Sequence, residues 1–65
     1  MRIRFVKECG FTLTHPHDSD VDEHFGPGDT LEGDIVGDGG EYVSFATGDG
    51  WRLDGLKKDQ FEEVP

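Results

Sequence analysis

The residues best suited to bind a ligand lie in one stretch, His15-Pro16-His17-Asp18-Ser19-Asp20-Val21-Asp22-Glu23-His24. Its three imidazoles and four carboxylates could ligate a divalent cation. Asp18, Asp20 and Asp22 match the first, third and fifth positions of a calcium-binding loop, and Asp29 matches the twelfth. The sixth position holds Glu23 where such a loop needs glycine, and the spacing required for zinc is also incomplete. We therefore predict no metal site.

The same stretch offers a second interpretation, a proton switch. Histidine changes charge near neutral pH, and neighbouring carboxylates favour its charged form. Protonation of His15, His17 and His24 would reduce the negative charge of this segment in mild acid. A metal- or pH-responsive binding module therefore remains an alternative function.

Residues for catalysis are scarce. Cys9 stands between Glu8 and Gly10, without the adjacent cation or helix N-terminus that activates a thiol, and we expect it to be a small core residue. The glycines of Gly37–Gly40 lack the lysine and the helix of a phosphate-binding loop. The sequence therefore predicts that the protein is not an enzyme and uses no cofactor.

One aromatic residue suggests a further type of site. Tyr42 alternates with Val43 and Phe45 and should point outward. With Glu41 or Asp54 beside it, Tyr42 could contribute to a cage for a methylated cation, as in Tudor domains. Since Trp51 shares the parity of the apolar residues, it should lie inside and leave the cage incomplete.

Charge dominates the composition. The chain has 65 residues, enough for one domain, and its 15 acidic and 6 basic residues give a net charge of −9. From Glu8 to Trp51 there is no lysine or arginine. Direct binding of nucleic acid or of an anionic membrane is therefore not expected. The single cysteine and the lack of a long apolar run favour a cytoplasmic location.

Period-two alternation of apolar and polar residues predicts short, half-buried strands along the chain. Gly26–Asp29, Gly37–Gly40 and Gly48–Gly50 read as turns, and Leu56–Gln60 as a single 3₁₀ turn before a last strand. The predicted core consists of Ile3, Phe5, Leu31, Ile35, Val43, Phe45, Trp51, Leu53 and Phe61, with Phe25 closing one end.

The segment Phe25-Gly26-Pro27-Gly28-Asp29-Thr30-Leu31 resembles the diverging turn of Src-homology-3-like barrels, in which an aromatic residue precedes Gly-Asp and an apolar strand. The spacing of the two hairpins and the turn before Phe61 are also similar to that family, so that the resemblance in topology covers residues 2–64. The chain lacks the aromatic motifs of the peptide-binding members, and proline-rich peptides are therefore not the expected ligand. The resemblance implies the fold more than the function.

These observations predict one all-β domain, residues 1–65, forming a small five- to six-stranded barrel with a long acidic loop after the first strand. We expect a non-catalytic module that binds a protein with a basic surface, in its sharpest form a nucleic-acid mimic that inhibits a host protein, as a bacteriophage product would. The alternative is a small structural subunit of an assembly. The predicted partner-binding residues are Asp18, Asp20, Asp22, Glu23, Asp29, Glu32, Asp34, Asp38, Glu41 and Tyr42.

Overall fold

A computed structural model describes residues 1–65 of the chain, and the protein is all-β. Alternating apolar residues form seven strands, since one face of each strand can then be buried. The strands are β1 (Arg2–Phe5), β2 (Cys9–His15), β3 (Asp18–Phe25), β4 (Thr30–Asp38), β5 (Tyr42–Thr47), β6 (Arg52–Lys57) and β7 (Phe61–Val64).

All seven strands belong to one antiparallel sheet, in the order β3-β2-β6-β5-β4-β1-β7. The sheet has two parts, one formed by β1 and β7 and the other by β5, β6, β2 and β3. The longest strand, β4, connects them. Its residues Thr30–Glu32 pair with β1, and its residues Gly33–Asp38 pair with β5. The partner of β4 therefore changes at Gly33.

Gly33 is required at this change of partner because two backbones approach closely there. A Cβ atom built on Gly33 would lie 2.0 Å from the carbonyl oxygen of Ala46 and 2.9 Å from the Cα of Thr47. On its other side, Gly33 donates its N–H to the carbonyl of Met1 and accepts a hydrogen bond from the Met1 amine. Only glycine can stand between the two partners, as is common where a sheet bends sharply.

The core lies between the two parts of the bent sheet. Phe5 on β1 stacks on Phe25 at the end of β3, with ring centroids 4.4 Å apart. Phe11 on β2 packs at an angle against both rings. Because β1 and β3 are far apart in strand order, this aromatic contact holds the bent sheet together. The buried residues are Ile3, Phe5, Cys9, Leu13, Phe25, Val43, Phe45, Leu53 and Leu56.

The predicted turn at Gly26–Asp29 is confirmed. The N–H of Asp29 donates to the carbonyl of Gly26, and Gly28 has a φ of +96°, the left-handed value that a type II turn requires after proline. Phe5 then fastens this turn to β1 with two hydrogen bonds, to the carbonyl of Asp29 and from the N–H of Gly28.

The predicted acidic loop is wrong. The segment Asp18–Phe25 is a strand, and it forms a hairpin with β2 in which Val21 lies opposite Leu13 and Phe25 opposite Cys9. These two apolar pairs explain the pairing, because they give β3 a partly apolar face despite its charge. The five- to six-strand count is wrong for the same reason. The sheet is also not closed into the expected barrel: β3 and β7 are its edges.

Three further expectations need correction. Leu56 lies in β6 and is fully buried, so the turn is confined to Lys57–Gln60, where the N–H of Gln60 donates to the carbonyl of Lys57. Ile35 is 38% exposed, because a bulge in β4 follows it directly. Leu31, Trp51 and Phe61 are only partly buried and pack against the core from its rim.

Candidate functional site

The edge strand β3 carries four of the predicted site residues, Asp18, Asp20, Asp22 and Glu23, and all four are exposed. Asp22 accepts a 2.7 Å hydrogen bond from the hydroxyl of Thr12 on β2. Asp18 lies 3.3 Å from the imidazole of His15. None of the four carboxylates is within 4 Å of a lysine or arginine. The β2–β3 hairpin is therefore a surface of unneutralised negative charge.

The rest of the surface is different, because each lysine and arginine already has a carboxylate partner. The ion pairs are Arg2–Glu32, Arg4–Glu62, Lys7–Asp59, Arg52–Asp54, Lys57–Glu41 and Lys58–Asp38. All are solvent-exposed pairs, and such pairs contribute little to stability because water and salt screen them. Their main consequence is electrostatic, since they leave the protein's excess charge on the carboxylates that have no such partner.

Three predicted site residues, Glu32, Asp38 and Glu41, are among the paired carboxylates. A hydrogen bond from the Gly40 N–H, together with one from the Lys58 ammonium, lowers the pKa of Asp38. Glu32, Asp38 and Glu41 therefore already have a cation partner, unlike the carboxylates on β3.

The other acidic candidates also have local roles. The carboxylate of Asp29 accepts a 2.8 Å hydrogen bond from the N–H of Gly26 and so closes the turn before β4. Asp34 lies 3.9 Å from the amino group of Met1. Neither residue is part of β3.

Sheet topology explains why all four carboxylates on β3 remain without a lysine or arginine partner. β4 lies beside β1, which carries Arg2 and Arg4, and β5 lies beside β6, which carries Arg52 and Lys57. β3 has a single neighbour, β2, and the β2 sequence Cys9–His15 contains no lysine or arginine. The acidic residues on β3 therefore have no cation within reach.

The histidines of the same hairpin are spread along it and do not form one cluster. No group of three or more histidine, cysteine or acidic side chains in the structure could hold a metal ion. His24 is seven residues from His17 along the extended chain, which is roughly 23 Å at the rise of a strand. His15 is held elsewhere: its Nε2 lies 3.1 Å from the carbonyl of Asp49, and its ring packs on Trp51.

Tyr42 is 49% exposed, as its parity predicts, but no aromatic cage surrounds it. Trp51 precedes β6 at the opposite end of the β5–β6 hairpin, in which Tyr42 lies opposite Lys57. The carboxylate of Asp54 is already engaged, because the Ser44 hydroxyl and the Arg52 guanidinium both donate to it and lower its pKa. A methylated cation would have to displace these internal partners.

The two concave surfaces of the protein both adjoin the β2–β3 hairpin. One is a groove of about 210 Å³ lined by Leu13, Val21, Glu23 and Trp51. The other is a wide depression of about 390 Å³ lined by Gly10, Phe11, Thr12, Asp22, Glu23 and His24. The groove was not predicted. Its one signal in the sequence is Val21, the only apolar side chain among the acidic residues of β3, and in the structure Val21 is 39% exposed.

Cys9 is a buried residue of the core, as its surroundings in sequence predict. Its thiol donates a long, 3.6 Å hydrogen bond to the carbonyl of Lys7. Burial raises the pKa of this thiol, which disfavours the reactive thiolate.

The structure contains no helical segment with the length and hydrophobicity that a bilayer crossing requires. No protein-family model, no curated protein and no solved structure matches the chain.

Proposed function

We propose that the protein is a non-catalytic binding module whose β2–β3 hairpin binds a basic surface on a partner protein. One observation carries this proposal: every lysine and arginine is paired with a carboxylate elsewhere, while the four carboxylates on β3 have no such partner. A basic partner would supply the missing cations through charge-assisted hydrogen bonds.

The sharpest form of the proposal is mimicry of nucleic acid, in which the hairpin occupies the basic groove of a nucleic-acid-binding protein. Alternate residues on a strand are about 6.7 Å apart. A row of acids at that spacing has roughly half the charge density of one DNA strand, which carries a phosphate per about 3.4 Å of helix axis. An inhibitor of a host protein, encoded by a bacteriophage and acting in the cytoplasm, would fit this chemistry.

Two variants of equal net charge test the proposal. In the hairpin variant, Asp18, Asp20 and Asp22 become Asn and Glu23 becomes Gln. In the control variant, Glu8 and Glu63 become Gln and Asp34 and Asp49 become Asn. Each variant and the parent are immobilised and exposed to a soluble extract of the native host, with and without added duplex DNA.

We expect the parent and the control variant to retain the same basic protein, the hairpin variant to lose it, and duplex DNA to compete for it. Retention by the hairpin variant equal to that of the control would refute the proposal, because bulk charge alone would then account for binding. If retention of the basic protein requires the β3 carboxylates but duplex DNA does not compete for that protein, the result would support a basic partner and refute mimicry of nucleic acid. If the parent retains no basic protein, the alternative of a structural subunit replaces the proposal.

A further inference from the structure

The edge of β3 is an unused hydrogen-bonding surface. β3 pairs with β2 on one side and with no strand on the other. In an antiparallel ladder, every second residue of an edge strand directs its N–H and C=O away from the neighbour. The segment Val21–Phe25 is in regular register with β2, so its outer backbone groups are presented at strand spacing.

An apolar groove lies beside this edge. Val21 and Leu13 face each other across the hairpin, and both line the groove together with Trp51 and Glu23. Leu13 is buried, whereas Val21 is 39% exposed. The edge therefore combines free backbone groups with a recess for an apolar side chain, which are the two components of recognition by strand addition.

Charge determines which kind of strand can be added. A second copy of this chain, paired through β3, would place four carboxylates against four more, and such like-charge contacts oppose pairing. A segment with lysine or arginine at alternate positions would instead place its cations beside Asp20 and Asp22. Its intervening apolar residues would face Val21 and the groove.

We propose that β3 binds an extended, basic segment of the partner as an eighth strand of the sheet. This inference rests on the proposed function and specifies its binding mode. The segment alternates basic and apolar residues, pairs by main-chain hydrogen bonds along Val21–Phe25, and buries an apolar side chain against Val21 and Trp51. The other sheet edge, β7, is only four residues long and has no groove beside it.

The probe is a capped heptapeptide of alternating lysine and valine. Its matched control has the same side chains and charge but carries a methyl group on every backbone nitrogen. The control therefore has no backbone N–H group with which to donate a hydrogen bond to β3. Binding is followed by the fluorescence of Trp51, which lines the groove, and by hydrogen exchange of the β3 amides. Both peptides are titrated into the parent, the hairpin variant, the charge-matched control variant and Val21→Thr, which keeps the side-chain shape but replaces one methyl group by a hydroxyl.

We expect the unmethylated peptide to bind the parent, to protect alternate β3 amides from exchange, and to bind at least about tenfold more tightly than the methylated peptide. Val21→Thr should weaken binding severalfold, and the hairpin variant should bind more weakly than the control variant. Equal binding of both peptides without new protection on β3 would refute strand addition, while leaving the acidic hairpin as a cation-binding surface. No binding of either peptide to the parent would also refute strand addition by such a segment, and the proposed function would then rest on the retention experiment alone. Equal binding of the peptide to the hairpin and control variants would count against the proposed function as well, because bulk charge would then account for binding.

Discussion

Replacement of Gly33 by alanine should unfold much of the protein. The added Cβ would meet the carbonyl oxygen of Ala46 at 2.0 Å, its carbonyl carbon at 2.8 Å and the Cα of Thr47 at 2.9 Å. All three atoms belong to the backbone of β5, and so no side-chain rotation can relieve the contact. Since an ordinary contact of this kind needs more than 3 Å, β4 and β5 must separate by about 1 Å or more.

The cost follows from what this separation disrupts. Overpacking alone costs about 1–3 kcal/mol, and loss of two strand hydrogen bonds near Gly33 adds about 0.5–1.5 kcal/mol for each. The sum, about 2–6 kcal/mol, is comparable with the roughly 3–5 kcal/mol of total stability that the core of so short a chain supplies. We therefore expect Gly33→Ala to be largely unfolded at room temperature.

The matched control is Gly48→Ala, because a Cβ at Gly48 has nothing within 4 Å and no left-handed φ is required there. Urea unfolding of parent, Gly33→Ala and Gly48→Ala, followed by circular dichroism, gives the three free energies of unfolding. A Gly33→Ala protein as stable as Gly48→Ala would refute the close approach of β4 and β5 and, with it, the bend of the sheet at Gly33.

Four other predictions concern the core, the charges and the thiol. Phe45→Ala should lower the free energy of unfolding by about 3–5 kcal/mol, because Phe45 is fully buried. Trp51→Ala should lower it by clearly less, because Trp51 is only partly buried, and urea titrations of the two variants compare their free energies of unfolding. Asp54→Asn should be less stable than the parent at neutral pH, because hydrogen bonds from Ser44 and Arg52 hold the pKa of Asp54 below its ordinary value in the folded state. That difference in stability should shrink progressively as the pH falls from about 4 through the lowered folded-state pKa, and a difference in thermal melts that does not shrink over this range would contradict the assignment. The hairpin variant should be more stable than the parent by about 0.5–1 kcal/mol at low salt, because it lacks the repulsion among the β3 carboxylates. Near 1 M salt this gain in stability should almost vanish, since salt screens the repulsion in the parent, and a gain that is independent of salt would argue against repulsion as its cause. The Cys9 thiol should react with a thiol-specific reagent only at the rate of unfolding, and rapid modification of the folded protein would show that it is accessible.

Alternation of apolar and polar residues is a local property, and the sequence therefore predicts most strands and turns correctly. Ile3, Phe5, Val43, Phe45 and Leu53 are in the core because parity places them on the inner face of their strands. Parity fails at Ile35, where a bulge shifts the register. It also fails for Leu56, because β6 contains a register irregularity just before it, with Gly55 at a φ of +78°. Bulges depend on the partner strand, and no pattern within one strand predicts them.

The acidic composition and the absence of lysine and arginine from Glu8 to Trp51 were visible in the sequence alone. The sequence could not show which of those carboxylates would remain without a cation, because residues far apart in the chain decide it: Arg2 reaches Glu32, Lys57 reaches Glu41 and Lys58 reaches Asp38. Strand order brings those pairs together and leaves β3 at an edge beside a strand without cations. The composition therefore determined the protein's net charge, whereas the tertiary structure determined where that charge is concentrated, because neutralisation depends on neighbours in the sheet.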